Sequence, residues 1–352
     1  REQLQQQLAA TDARLARYRD GKVFAVTPKV PPDVHVLARG NPLQKGAVVT
    51  AGGLGTIPGY QGDFGLAGDA SDADRRRQLA DWITDPRNPL FARTLVNRIW
   101  QYHFGAGLIE TPSDLGFNGG HPSHPELLDY LASEFARREF RLKDLHRLIV
   151  TSATYRQSSQ PNPEAARVDA NNRWLWRKSP QRLEAEVIRD AILAISGQLN
   201  PRRGGPGYQD FRPFLRGGTQ FYEILDPVGP EFNRRSLYRT WARGGHNPLL
   251  DTFDCPDPST FSPRRNATNT PLQALSLMNN SFVMRMSEAF ADRLQRDAGD
   301  DLDRQVTRAY QLTYGRNPRD DERALAAAFI REHGLSAFGR VLFNTNEFLY
   351  VR

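Results

Sequence analysis

The sequence has a single cysteine, Cys255, in 352 residues. No disulfide can therefore form within the chain, and neither CxxC nor CxxCH occurs, which excludes a cysteine-rich zinc site and covalent c-type haem from this segment. Long apolar runs are also missing, so no membrane span is expected, and no signal peptide is present within the segment. GxSxG and HExxH are absent as well. "TAGGLGT" and "RRGGPG" lack both the GK[ST] ending and the strand-to-helix setting of a phosphate loop, and they read as turns. Lysine is scarce and arginine abundant. The guanidinium fork suits fixed pairing with carboxylates better than it suits a diffuse phosphate-binding surface.

What is present describes a polar globular protein. Hydrophobic residues make up 39% and charged residues 25%, and the length allows a sizeable core. The net charge of +7 is spread over separate pairs, Arg137-Arg138, Arg202-Arg203, Arg234-Arg235 and Arg264-Arg265. Nucleic-acid readers concentrate such charge on one face among aromatics, so nucleic acid is not the expected partner. The chain begins at Arg1 in the middle of an apparent helix, and a piece of a longer protein is expected.

Residues 1–20 read as the tail of an upstream helix. From 21 to 74 Pro and Gly recur between the short β-rich runs "KVFAVT", "VHVLARG" and "GAVVTAGG", giving an extended strap segment. From 75 to 352 helices dominate, apart from a Gly- and Pro-rich insertion at about 200–263, where "TQFYEIL" and "RRSLYRTWARG" are the expected strands. The fold class is thus mainly α: a multi-helix globular domain with a small β insertion and an extended N-terminal strap. Asn88 and Pro89 open one helix, and Gly105 closes it. In "SPQRLEAEVIRDAILAISG", Ser179 caps, Pro180 opens and Gly197 terminates, and Arg182, Glu186 and Asp190 recur at i,i+4.

Chemistry concentrates first in "HPSHPE". His121, His124 and Glu126 would have to converge to hold a metal, and a proline after each histidine makes that awkward. Ser123-x-x-Glu126 instead fits a capping box with Pro125 in the first turn, and the residues favour this reading. Asp69, Asp72 and Asp74 lack the glycine and the glutamate of a calcium loop and suit the start of a helix. Further polar residues lie inside apolar helices: Asn97, Arg98, His146, Arg147, Arg182, Glu186, Arg189, Asp190, Arg265, Thr270 and Gln273. Buried charge persists only when paired. Either these side chains form an internal network that fixes helix packing, or they line a cleft.

Six stretches, "NPLFARTLVNRIWQYHFGAGLIETPSDLG", "HPSHPELLDYLASEF", "LKDLHRLIVTSATYRQSS", "RLEAEVIRDAILAISG", "RNATNTPLQALSLMNN" and "NTNEFLYV", resemble in order the planctomycete-specific C-terminal domain of unknown function (DUF1553, PSD1). That domain follows c-type cytochrome-like regions in large exported proteins. The resemblance implies an exported multidomain parent, periplasmic or at the cell surface, with an upstream cytochrome-like domain and c-type haem outside this segment. No cofactor is expected within the segment itself. The polar motif positions fall on Asn97, Arg98, His124, Glu126, Asp129, His146, Arg147, Tyr155, Arg156, Arg182, Glu186, Arg189, Asp190, Gln273, Asn346 and Glu347. Tyr102 stands where the family often has histidine, which speaks against a pair at 102 and 103. The leading expectation is a non-catalytic structural or binding module whose network is Asn97, Arg147, Glu186, Arg189, Asp190 and Gln273, with a polysaccharide or a redox protein as partner. The alternative is an enzyme, a hydrolase or carbohydrate-active protein, using His124, Glu126, Arg98 and Arg182.

Overall fold

The computed structural model describes residues 2–19, 26–29, 32–60 and 62–351. The chain divides into two compact units, Arg1–Ala92 and Arg93–Arg352.

In the first unit α1 spans Glu2–Arg19. The antiparallel hairpin of β1 (Val34–Leu37) and β2 (Lys45–Val49) follows. The strand expected in "KVFAVT" lies largely outside the described residues. Ser71 caps α2 (Asp72–Thr84) by accepting from the Asp74 amide. Asp72 and Asp74 occupy its first turn and pair with Arg76 and Arg77. Asn88 accepts from the Leu90 amide at the start of α3 (Pro89–Phe104).

The second unit continues α3 into α4 (Pro125–Arg137), α5 (Leu142–Val150) and α6 (Pro163–Val168). The apolar stripes of α3, α4 and α5 are buried through Val96, Trp100, Leu128, Leu131, Phe135, Leu145 and Ile149. Next come β3 (Gln181–Arg182), α7 (Ala185–Ile195), β4 (Phe211–Arg216), β5 (Thr219–Ile224) and α8 (Pro248–Thr252). The chain closes with α9 (Pro271–Asn279), α10 (Ser281–Ala298), α11 (Leu302–Tyr314), α12 (Asp320–Phe343), α13 (Asn346–Leu349) and β6 (Tyr350–Val351). Gly334, at φ 82°, breaks α12 into two helical stretches. Among the described residues no helix is long and apolar enough to cross a membrane.

The main core lies among α7 to α12. Ile188, Ile192, Leu193, Leu250, Leu277, Phe290, Leu294 and Phe343 are sealed there. Each such side chain contributes about 1.5–3 kcal/mol on leaving water. The molecule is mainly helical, and its sheets are small two-stranded antiparallel pairs.

Three local expectations are corrected. The helix expected to open at Ser179 and Pro180 begins only at Ala185. Gln181 and Arg182 are extended because they pair with Val351 and Tyr350, and the Leu183 amide donates to the Leu349 carbonyl. Arg182 therefore does not belong to an i,i+4 ladder with Glu186 and Asp190. Secondly, Ser123 does not cap α4. Its amide and hydroxyl both turn to the Leu108 carbonyl, leaving His124 at the N-cap without a side-chain cap bond, although Pro125 does open the helix. Thirdly, the partner of "TQFYEI" is "FRPFLR", whereas "RRSLYRTWARG" forms a 3-10 turn at Ser236–Tyr238 and a single bridge from each of Arg234 and Arg239.

Candidate functional site

The expected catalytic set does not assemble. His124 hydrogen-bonds Ser123 and meets Trp174 edge to face, whereas Glu126 is exposed in the first turn of α4. Arg98 is half-buried and makes no hydrogen bond or ion pair among the described residues. Arg182 lies over Phe253 and Tyr350 and donates to the Thr268 carbonyl. No hydrogen bond or ion pair among the described residues joins any two of these four. Nor do three His, Cys, Asp or Glu side chains converge anywhere among the described residues to hold a metal, so His121, His124 and Glu126 are not gathered.

The polar residues within the helices are individually tied down. Asn97, 1% exposed, accepts from the Ile109 amide and donates to the Ile109 carbonyl. It holds the turn that follows α3 so closely that a Cβ on Gly107 would meet the Ile109 carbonyl oxygen at 2.5 Å. Glu186 is gripped by both terminal nitrogens of Arg265. Burial alone would raise its carboxyl, but the Arg265 fork outweighs burial and holds it below the usual range. The neighbouring Cys255 thiol is pushed up to about 12, mainly by burial, and stays un-ionised. Arg189 donates to the Phe232 and Arg234 carbonyls, and Asp190 accepts from the Ser236 amide and hydroxyl. Gln273 joins the capping box of α9 to the Thr252 carbonyl. Arg147 is exposed on α5.

The arginine pairs are divided in the same way. Arg137 and Arg138 share Glu134, Arg234 is buried against the Gly204 and Pro206 carbonyls, and Arg265 belongs to Glu186.

Two cavities and one side-chain cluster have features that suit function. The larger cavity, about 510 Å³, lies between the β insertion and the helices, with Arg189, Tyr208, Asp210, Asp226, Phe232, Asn233, Asn247, Phe282 and Arg285 among its walls. This volume falls within the usual range for small-molecule sites. Asp210 is bound by Arg239 at 2.8 Å and by Asn247, and Asp226 by Arg285. Tyr208 is 7% exposed, its hydroxyl is buried without a hydrogen-bond partner among the described residues, and burial raises its pKa. The Arg285 pairing lowers that of Asp226. A second cavity, about 350 Å³, is lined by Arg177, Ser159, Gln160, Asn269, Asn346 and Tyr350, with Pro161 and Pro180.

The cluster joins α3 to α5. His103 and His146 are hydrogen-bonded ring to ring at 2.8 Å, and both His103 and Phe104 set their rings edge-on to Tyr155. Lys178 lies over the Phe104 and Tyr155 rings and donates to the His103 carbonyl. Burial pulls the Lys178 amine down to about 8. The partner of His103 is thus His146, while Tyr102 faces solvent. Sequence reasoning passed over Tyr208, Asp210, Lys178 and Arg177. For the first two, the alternation of aromatic and polar residues in "GYQDF" ahead of β4 was the available signal.

The fold and its cavities define a mainly helical domain with a small β insertion beside a cleft of about 510 Å³. The chain belongs to the family described as PSD1, protein of unknown function (DUF1553), which matches residues 75–330. No curated protein and no solved structure matches it.

Proposed function

We propose that the second unit is a non-catalytic binding module of an exported, multidomain protein with a c-type cytochrome-like domain upstream, and that the cleft beside the β insertion takes a saccharide unit of a surface polymer. One observation carries this reading: the cleft interleaves aromatic rings, Tyr208, Phe232 and Phe282, with amide and charged side chains that are already fixed by neighbours. Rings offer flat apolar faces, and rigid polar groups select hydroxyl positions at low ordering cost. Non-catalysis is supported by the titratable groups there. Tyr208 is shifted up and Asp226 down, both away from the neutral values that favour proton transfer. Calorimetric titration with neutral and acidic oligosaccharides is expected to give saturable binding that Phe282→Ala and Asn233→Ala weaken. Absence of binding across the panel, or release of cleaved sugar, overturns the reading. Haem absorbance in the purified parent protein tests the cytochrome link.

An enzyme reading draws support from a different place. Lys178, with its amine pulled down to about 8 and set against His103, carries more unprotonated amine at neutral pH than an ordinary lysine. Limited acylation at pH 8, read by mass spectrometry, is expected to label Lys178 ahead of the other lysines. Preferential labelling elsewhere removes the basis for this reading.

A further inference from the structure

The smaller cavity has a charge imbalance. Arg177 is half-buried, its Nε is shut off from solvent without a partner, and its guanidinium makes no hydrogen bond or ion pair among the described residues. Among the described residues it lies against the Trp176 ring, with the guanidinium carbon 4.8 Å from the ring centre. Among the described residues the cavity wall contains no carboxylate. The Nε has lost its solvation without a replacement, whereas the terminal nitrogens are left to water or to a ligand. By contrast, Arg189, Arg234, Arg239 and Arg265 each have a carboxylate or a carbonyl. The rest of the wall supplies hydrogen-bonding groups that are likewise unused: the side chains of Ser159, Gln160, Asn269 and Asn346 make no hydrogen bond among the described residues.

We infer that this cavity binds a tetrahedral oxyanion, a phosphate or sulfate group carried by a ligand small enough for about 350 Å³, with Arg177 as its counter-charge. The guanidinium fork engages two oxygens. Three amides and a hydroxyl provide more donors than the two oxygens of a carboxylate require, and they suit the additional oxygens of a tetrahedral group. Tyr350 and Pro180 give the remainder of such a ligand an apolar wall. The site is separate from the cleft beside the β insertion and does not depend on its reading.

The test is thermal unfolding of the whole chain, with inorganic phosphate, sulfate or acetate added at matched ionic strength. Phosphate and sulfate stabilise proteins in general, so the readout is the difference between wild type and variants. Wild type is expected to gain several degrees more with phosphate or sulfate than Arg177→Gln does, and acetate is expected to give no such difference. The preferred tetrahedral ion identifies the ligand group. Asn269→Asp places a carboxylate in the cavity wall, and it is expected to raise the melting temperature in the absence of phosphate and to abolish the phosphate response. Equal phosphate responses in wild type, Arg177→Gln and Asn269→Asp overturn the inference, as does a larger response to acetate. If Arg177→Gln fails to fold, an undiminished phosphate response in Asn269→Asp is sufficient to reject it.

Discussion

Arg265 and Glu186 meet in a two-point ion pair, Nη1 to Oε2 at 2.7 Å and Nη2 to Oε1 at 3.0 Å, across 79 positions of sequence. The pair fastens the long loop before α9 to the first turn of α7, and Asp254 anchors the same loop by accepting from the Thr268 amide and hydroxyl. Glu186→Gln keeps the shape but removes the charge that Arg265 faces, and is expected to lower stability by about 1–3 kcal/mol. The sign of the pH dependence follows from the lowered carboxyl pKa. The pair's contribution is complete above the unfolded value, near 4.5, and is lost as pH falls through the folded value. Denaturant melts of wild type and variant are therefore expected to differ at pH 7 and to converge in acid; identical curves at pH 7 count against the pairing.

Asn97 acts on a shorter span. Both of its hydrogen bonds go to Ile109, twelve residues on, and Asn97→Ala leaves a buried backbone donor and a buried acceptor unpaired. At about 1–3 kcal/mol for each orphaned group, a loss of about 3 kcal/mol is expected. Gly107→Ala is expected to be destabilising at the same turn, because its Cβ runs into backbone that cannot swing aside. Equilibrium unfolding checks both, and a change below about 0.5 kcal/mol in either, the range of ordinary surface substitutions, contradicts the account.

How far such contacts can be read from sequence depends on how local their causes are. Asn88 and Pro89 at the start of α3 and the apolar stripes of α3 to α5 follow from spacing within one helix, and the sequence expectation matches the structure there. Ser179 and Pro180 carry an equally good helix-start signal, yet Gln181 and Arg182 are held extended by Tyr350 and Val351. That competitor lies about 170 residues away, and local propensity gives way to it. Ser123 likewise carries a capping-box pattern, but its hydroxyl turns to Leu108. The cleft was less legible still. Tyr208 with Asp210, Asn233 and Phe282 come from three separate segments, and only the packing of the insertion brings them to one cavity.

His103 and His146 give the fold an acid-sensitive joint. The pKa of His103 is lowered first by burial, then by the charges of His146 and Lys178. The unfolded chain consequently takes up the proton at a higher pH than the folded chain does. Stability is complete above about pH 6.5 and declines as pH falls below it. Melting temperature is expected to drop between pH 7 and 5 in wild type and to drop less in His103→Gln. Parallel pH profiles for the two proteins rule out the histidine pair as the source.

Asp210 and Arg239 form the most deeply enclosed ion pair of the cleft region, with side chains 8% and 1% exposed and Nε within 2.9 Å of both carboxylate oxygens. Arg239 also donates to the Gly245 and His246 carbonyls, and Asn247 donates to Asp210, so the pair ties three segments of the insertion together. Removing one partner leaves the other charge buried and unpaired. Asp210→Ala is therefore expected to cost about 3–5 kcal/mol, more than any other substitution considered above. Replacing both residues with apolar ones of similar volume removes that penalty, and Asp210→Leu with Arg239→Met is expected to be clearly more stable than Asp210→Ala alone. If the double variant is no more stable than the single, the pair does not act through compensation of buried charge, and the carbonyl contacts of Arg239 hold the insertion in place. Oligosaccharide titration of the double variant then separates positioning from stability. Because Asp210 lines the cavity and Arg239 orients it, a refolded double variant that still binds as wild type does would show that Asp210 takes no part in recognition.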